Sequence, residues 1–349
     1  MKNRGFRPLF FHAGCHSYDA PMQTFAPTRY NAMPFRRCGK SGLVLPAVSL
    51  GFWQNLGAPG NEDLCRQCCH FAFDHGITHF DLANNYGTPP GRSETVVGQI
   101  VKGMPRDELV ISTKAGHPMW PGPYGDGGGK KYLVASLDQS LRRLGIEYVD
   151  IFYHHRPDND VALEETMGAL DLVVKQGKAL YAGISKYPGT LTRQAVETMR
   201  QGGGQRLAIH QPRINLLERG AIDDVLSVAD ELGLGVIAFS PLAQGRLSGQ
   251  YTAGLPADSR FGRSPEGQAW HAQQKAAGTW DKVAKLEAFA RARHTTLAQL
   301  AMVWLLTDRR ITSVLVGVSR LEQLKEAVAA AGKPVLTAQE MAEISALLA

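Results

Sequence analysis

Eight short apolar runs, rich in β-branched and aromatic residues, recur along the chain with amphipathic stretches of helical period between them. The runs are Val48–Trp53, Thr78–Leu82, Leu109–Thr113, Val149–Tyr153, Ala179–Ile184, Leu207–His210, Gly235–Phe239 and Ser313–Val316. Between them lie Leu64–Gly76, Lys131–Leu144, Leu163–Gln176, Leu191–Arg200 and Ile222–Leu232, whose apolar residues repeat every three or four positions. This alternation predicts an α/β fold with a parallel sheet, either a closed (β/α)₈ TIM barrel or an open doubly wound sheet. The dinucleotide-binding open sheet carries Gly-x-Gly-x-x-Gly after its first strand. None follows Val48–Trp53, so the barrel is the expectation.

Met33–Arg37 and Gly42–Pro46 read as an N-terminal β-hairpin. Pro241–Thr279, after the seventh strand, is rich in Gly, Ser, Pro and Gln and is expected to be a long loop covering a ligand. Helices at Trp280–Arg293 and Leu297–Leu306 lead to the eighth strand, and Ala338–Leu348 forms an extra C-terminal helix. Residues 1–28 lack either period and read as a disordered extension; residues 29–349 read as one barrel domain.

With 349 residues, 44% of them hydrophobic, the chain can bury a large core. No apolar run reaches the roughly 18 residues of a membrane span. The net charge is +6, but Lys and Arg are scattered, which argues against nucleic acid and leaves room for a small anion. Five cysteines in a chain of this length do not make a secreted disulfide framework and point to a reducing cytoplasm. Cys65-x-x-Cys68 is half a zinc pair with no second half; no metal is expected.

In such a barrel the chemistry sits at the carboxyl ends of the strands. Those ends carry Asp81, with Tyr86 in the following loop, then Lys114, His155, Ser185, Gln211, Phe239-Ser240, and Gly317 with Ser319 and Arg320. Singly, Tyr86 reads as core, Lys114 as a snorkelling strand end and His155 as a satisfied buried imidazole. Together they make a proton-transfer site: an ammonium beside the phenol is expected to lower its pKa from about 10 toward working pH. A carboxylate would hold the Lys charged, and a His would orient a carbonyl oxygen or relay a proton.

Asp81-Leu-Ala-Asn-Asn-Tyr-Gly87, Ile111-Ser-Thr-Lys114 and Val149-Asp-Ile-Phe-Tyr-His-His155 resemble the Asp-Tyr, Lys and His motifs of the aldo-keto reductases, and the likeness runs from Met33 to the C-terminus. Within that family the pattern resembles most the bacterial L-glyceraldehyde 3-phosphate reductases, through Trp120-Pro-Gly-Pro-Tyr-Gly125 and Gly128-Gly-Lys-Lys-Tyr132, and the potassium-channel β subunits. The resemblance implies catalytic Asp81, Tyr86, Lys114 and His155, an NADP(H) cofactor and a small aldehyde substrate.

Ser185, Lys186 and Gln211 would meet the carboxamide, with Phe239 stacked on the nicotinamide. Trp53 and Asp81 would also touch the cofactor. Ser240, Pro241, Leu242, Ala243, Gln244 and Arg260 would follow the pyrophosphate. Gly317, Ser319, Arg320, Gln323 and Glu326 would hold the adenosine end, Arg320 at a helix start suiting a 2′-phosphate. Trp53, Trp120, Lys130 and Arg156 are the candidate substrate contacts, although Arg156 has Asp158 as an alternative partner. A homotetramer or octamer is compatible with the resemblance.

Three residues depart from the family pattern: Lys186 for Asn, Ile214 for Tyr and Ala327 for Asn. A rival reading is a redox-sensing regulatory subunit like the channel β subunits, which carry Asn where this chain has His155. A Schiff-base aldolase would need a neutral Lys114, which a neighbouring Asp81 opposes.

Overall fold

The eight runs form the eight staves of one closed barrel. The computed structural model describes residues 24–251, 254–257, 259 and 261–349. The hairpin comes first, β1 (Phe35–Arg37) against β2 (Val44–Pro46), antiparallel with Arg36 opposite Leu45. The barrel strands are β3 (Val48–Gly51), β4 (His79–Asp81), β5 (Val110–Ala115), β6 (Val149–His154), β7 (Ala179–Ser185), β8 (Leu207–Gln211), β9 (Gly235–Phe239) and β10 (Ser313–Gly317). Each is parallel to the next in sequence, and β10 closes on β3 with Val314 opposite Val48. Helices α1 (Glu62–Asp74), α2 (Arg92–Val101), α3 (Lys130–Leu144), α4 (Leu163–Lys175), α5 (Gly189–Gln201) and α6 (Ser227–Leu232) lie between the strands up to β9.

Side chains from both layers fill the core, as the two-residue period of a strand requires. The hairpin plugs one end: Cys38, Leu43 and Leu45 pack with Ile151, Tyr153, Ile209, Ile237 and Leu315 of the barrel interior. Lys40 donates its amide to the carbonyl of Gly233 at 2.9 Å. With that end closed, a ligand meets the barrel from the other. Cys65, Cys68 and Cys69 are buried on the core side of α1.

Three elements differ from the sequence expectation. Pro241–Thr279 is not one irregular loop, because helix α7 (Pro265–Ala276) runs through it. Ser264 caps α7 by accepting the Gly267 amide, and Pro265 occupies its first turn, a start signal hidden by the Gly- and Gln-rich composition. Ile222–Leu226 is a π-helical turn ahead of α6 rather than its first α-turns. Residues 24–28, expected to be disordered, lie against α1, where the Ala26 amide donates to Asp74 at 2.7 Å and Phe25 meets Phe73 edge-on. The rest of the expected extension, residues 1–23, lies outside the described residues.

Helices α8 (Thr279–Ala292) and α9 (Leu297–Thr307) precede β10, followed by α10 (Leu321–Ala331) and the extra α11 (Ala338–Leu348). No helix among the described residues is long and apolar enough to cross a membrane.

Candidate active site

Asp81 ends β4, and its completely buried carboxylate meets the equally buried ammonium of Lys114, from the neighbouring β5, at 2.5 Å. Lys114 also donates to the Leu82 carbonyl at 2.7 Å. The second carboxylate oxygen accepts from Ser112 Oγ at 2.6 Å and from Gln211 Nε2 at 3.2 Å. Burial pulls the Lys114 pKa down and Asp81 opposes it.

Behind Asp81 runs a hydrogen-bonded chain inside the barrel. Ser313 and Ser49 lie 2.6 Å apart, Ser49 Oγ is 2.9 Å from His79 Nδ1, and His79 Nε2 is 3.0 Å from Ser112 Oγ. Its polarity follows from the acceptor-only carboxylate at its end. Ser112 gives its proton to Asp81, so His79 Nε2–H donates to Ser112, Nδ1 accepts from Ser49, and Ser49 accepts from Ser313. Burial lowers the His79 pKa to about 4, which keeps the single-proton tautomer this chain needs. His79 was legible in the sequence: it precedes Asp81 by two and so shares its face of the strand.

Tyr86 lies half-buried in the loop after β4, with Lys114 Nζ 5.1 Å from its ring centre. The phenol departs from expectation. Burial first and Asp81 second push its pKa well above 10, and the two hydrogen bonds of Lys114 go to Asp81 and Leu82. At neutral pH Tyr86 is a neutral proton donor.

His155, just past β6, packs edge-to-face on Tyr86 with ring centres 5.7 Å apart. Its buried Nδ1 has no hydrogen-bond partner among the described residues. Burial, then the charges of Lys114 and Lys186, drives its pKa well below 6.5, so it stays an uncharged imidazole. His154, facing the other way, bonds the Tyr187 hydroxyl at 2.7 Å.

His117 is a site neighbour that its sequence position alone did not single out. It sits edge-on to His155 at 4.6 Å, and its Nε2 lies 3.3 Å from Lys186 Nζ. Burial and the neighbouring cations lower its pKa to about 4. The available signal was its place just beyond the end of β5.

Among the expected substrate contacts, Trp53 is exposed and Trp120 packs on Tyr132 at 5.1 Å. Arg156 pairs with Asp126 at 2.9 Å, not with Asp158, and also donates to the Gly116 carbonyl at 2.6 Å. Lys130 opens α3 with its amide on Glu165 of α4, and its ammonium lies near Gly168 of that same helix.

Around the mouth, Ser185 Oγ donates to the Gln211 carbonyl at 2.8 Å, and Phe239 and Ser240 are half-buried. Lys186, Ser240, Ala243 and Gln244 all have positive φ. Several non-glycine residues in left-handed backbone so close together mark a built site, and such backbone turns amide groups into an anion-holding concavity. Gly317, ending β10, and Ser319 and Arg320 beyond it are exposed, with the Ser319 amide donating to Gln323 at 2.8 Å. Glu326 accepts from Thr296 at 2.5 Å. Arg320 makes no ion pair among the described residues. Arg260 lies outside them.

A buried Asp–Lys pair, a neutral phenol and a neutral imidazole at one end of a parallel barrel define a proton-donating oxidoreductase site. The aldo/keto reductase family model matches residues 47–349, and the chain belongs to that family. L-glyceraldehyde 3-phosphate reductase of Escherichia coli K12 is 49% identical over 325 residues, covering 91% of this chain and 93% of the relative. More distant are a probable voltage-gated potassium channel subunit beta of Arabidopsis thaliana, 33% identical with 84% and 90% covered, and a putative one of Schizosaccharomyces pombe, 34% identical with 85% and 88% covered. The protein is an oxidoreductase, and enzymes of this family use nicotinamide cofactors, usually NADPH.

Proposed function

We propose that the protein is a cytoplasmic NADPH-dependent reductase of small aldehydes, of the glyceraldehyde 3-phosphate or methylglyoxal type. The observation that carries this reading is the neutral Tyr86 phenol held between the Asp81–Lys114 pair and His155. The residues around the mouth fit the cofactor: Ser185 and Gln211 offer amide partners, Phe239 an aromatic face, Ser240, Ala243 and Gln244 left-handed backbone and Arg320 an uncommitted cation. A reduced nicotinamide held there would supply the hydride for the carbonyl carbon.

The chain's own groups handle the proton. Tyr86 donates it to the carbonyl oxygen, and its raised pKa guarantees that the proton is present at neutral pH. His155, uncharged, orients the oxygen without competing as an acid. Lys114 carries the positive charge near the phenol and is itself held by Asp81, Leu82 and, through Asp81, by Ser112 and Gln211. A Schiff-base role for Lys114 is disfavoured, since its nitrogen is wholly buried and spent on two acceptors. Turnover rather than pure nucleotide sensing is favoured by His155, whose ring packs on the phenol and whose Nδ1 has no partner among the described residues.

The test is to follow NADPH absorbance with glyceraldehyde 3-phosphate, glyceraldehyde and methylglyoxal. Consumption with none of them would overturn the reading.

Cofactor choice is tested separately. Arg320→Ala is expected to narrow the preference for NADPH over NADH by several-fold, to about tenfold, since an exposed cation on a 2′-phosphate is screened by solvent. A variant that kept its full preference in titrations with both cofactors would move the 2′-phosphate to another cation, Lys325 being next along α10.

A further inference from the structure

With Arg156 committed to Asp126 and Lys130 turned to α4, two other cations stand at the mouth. Lys186 follows β7, with its ammonium 3.3 Å from His117 Nε2 and 6.0 Å from the centre of the Phe239 ring. Arg213, two residues past β8, brings its guanidinium carbon to 5.5 Å from the same ring. Its nearest carboxylate, Glu218, is 3.7 Å away and already bound by Arg246 at 2.9 Å and Asn215 at 2.7 Å. Lys186 makes no ion pair among the described residues.

Both cations line an open cavity of about 400 Å³ with Tyr187, Pro188, Pro212 and Val225. Asp224, the carboxylate in that lining, is held by the Gly189 amide at 2.8 Å. From Lys186 the ring contacts run inward through His117 to His155 and on to Tyr86.

We propose that Lys186 and Arg213 form the subsite for the anionic group of a short phosphorylated aldehyde, whose carbonyl end then lies toward His155 and Tyr86. This rests on the reading of the protein as a reductase of small aldehydes. Arg213 shares its nearby carboxylate, Glu218, with Arg246, so the like charges of Lys186 and Arg213 repel one another, and an anion between them relieves the repulsion. Lys186 records that state: burial first, then Lys114, Arg213 and Arg156, bring its pKa down to about 8. A guanidinium fork adds two parallel donors for phosphate, and a lysine adds a mobile point charge. The groups facing Lys186 are Lys114, Arg156, Arg213 and the neutral His117. As pH rises through about 8 Lys186 loses its proton in the free enzyme, so the preference for an anionic aldehyde in kcat/KM is expected to fade there.

The experiment is a calorimetric titration of the full chain with glycerol 3-phosphate, an alcohol that cannot be reduced, alongside glycerol, for the unaltered protein and for Lys186→Gln, Lys186→Arg and Arg213→Gln. Glycerol 3-phosphate is expected to bind where glycerol does not. Affinity should fall at least about fivefold in each Gln variant, the effect of a partly screened cation, and be largely kept by Lys186→Arg. In turnover, the ratio of kcat/KM for glyceraldehyde 3-phosphate over glyceraldehyde should fall in parallel. Equal binding by the unaltered protein and both Gln variants, or no binding by any, would overturn the subsite. An unaltered protein that reduces no aldehyde would overturn the reductase reading, and the titration would still decide the subsite.

Discussion

Tyr86→Phe is expected to lower kcat for aldehyde reduction by about a thousandfold, within the range a positioned general acid supplies, with NADPH affinity changed less than about threefold because the lost hydroxyl acts on the substrate oxygen. The ring stays, so its edge contact with His155 and the Lys114 nitrogen over its face are kept. The raised pKa of the phenol gives a companion expectation. A group that keeps its proton beyond pH 10, beside an imidazole that stays neutral from well below pH 6.5, leaves no titration of either between roughly pH 6.5 and 9. The kcat of the unaltered enzyme with an uncharged aldehyde should therefore be flat across that window. Equal loss of turnover and of fluorescence-detected NADPH binding in Tyr86→Phe would assign the residue a structural role, and a clear acid limb near pH 7 would contradict the uncharged imidazole.

The barrel, and the convergence of Asp81, Tyr86, Lys114 and His155 at one end of it, were legible because both are written in local pattern. The strand at 235–239 and the helix at 338–348 fall where the apolar period puts them, and residues at strand ends converge by the geometry of the fold. What depends on distant partners was not legible. Arg156 has an acid two residues away in Asp158, yet the loop between β5 and α3 brings Asp126 to it, and nothing in the local sequence ranks one acid over the other. The phenol's proton affinity turned on its burial and on the nearby Asp81 carboxylate, which only the packed strands decide. His117 has meaning only through the rings it touches. Helix α7 was obscured differently: its burial pattern carries little amphipathic signal, and the chain is fixed there by an aromatic cluster of Phe261, Trp270 and Trp280.

Lys114→Met is expected to destabilise the fold by about 3–5 kcal/mol and to abolish turnover, because it strands the Asp81 carboxylate in a wholly buried position. Ser112 and Gln211 still donate to that carboxylate, but neutral donors do not replace a charge at 2.5 Å. For a chain of this size that loss corresponds to a fall in Tm of roughly 4–7 °C.

Adding Asp81→Leu to Lys114→Met removes the stranded charge, and apolar replacement of a buried ion pair is often neutral or stabilising. The double variant should recover most of the lost Tm. Its activity should not return, since the Lys114 cation beside Tyr86 is gone. The single and double variants, compared by thermal melts and by NADPH turnover, separate the two roles of the pair. If the double variant regained measurable turnover along with its stability, Lys114 and Asp81 would be scaffolding and the proton chemistry would belong to Tyr86 and His155 alone. If the single variant melted with the unaltered protein, the buried pair would not be held as tightly as its two acceptors imply.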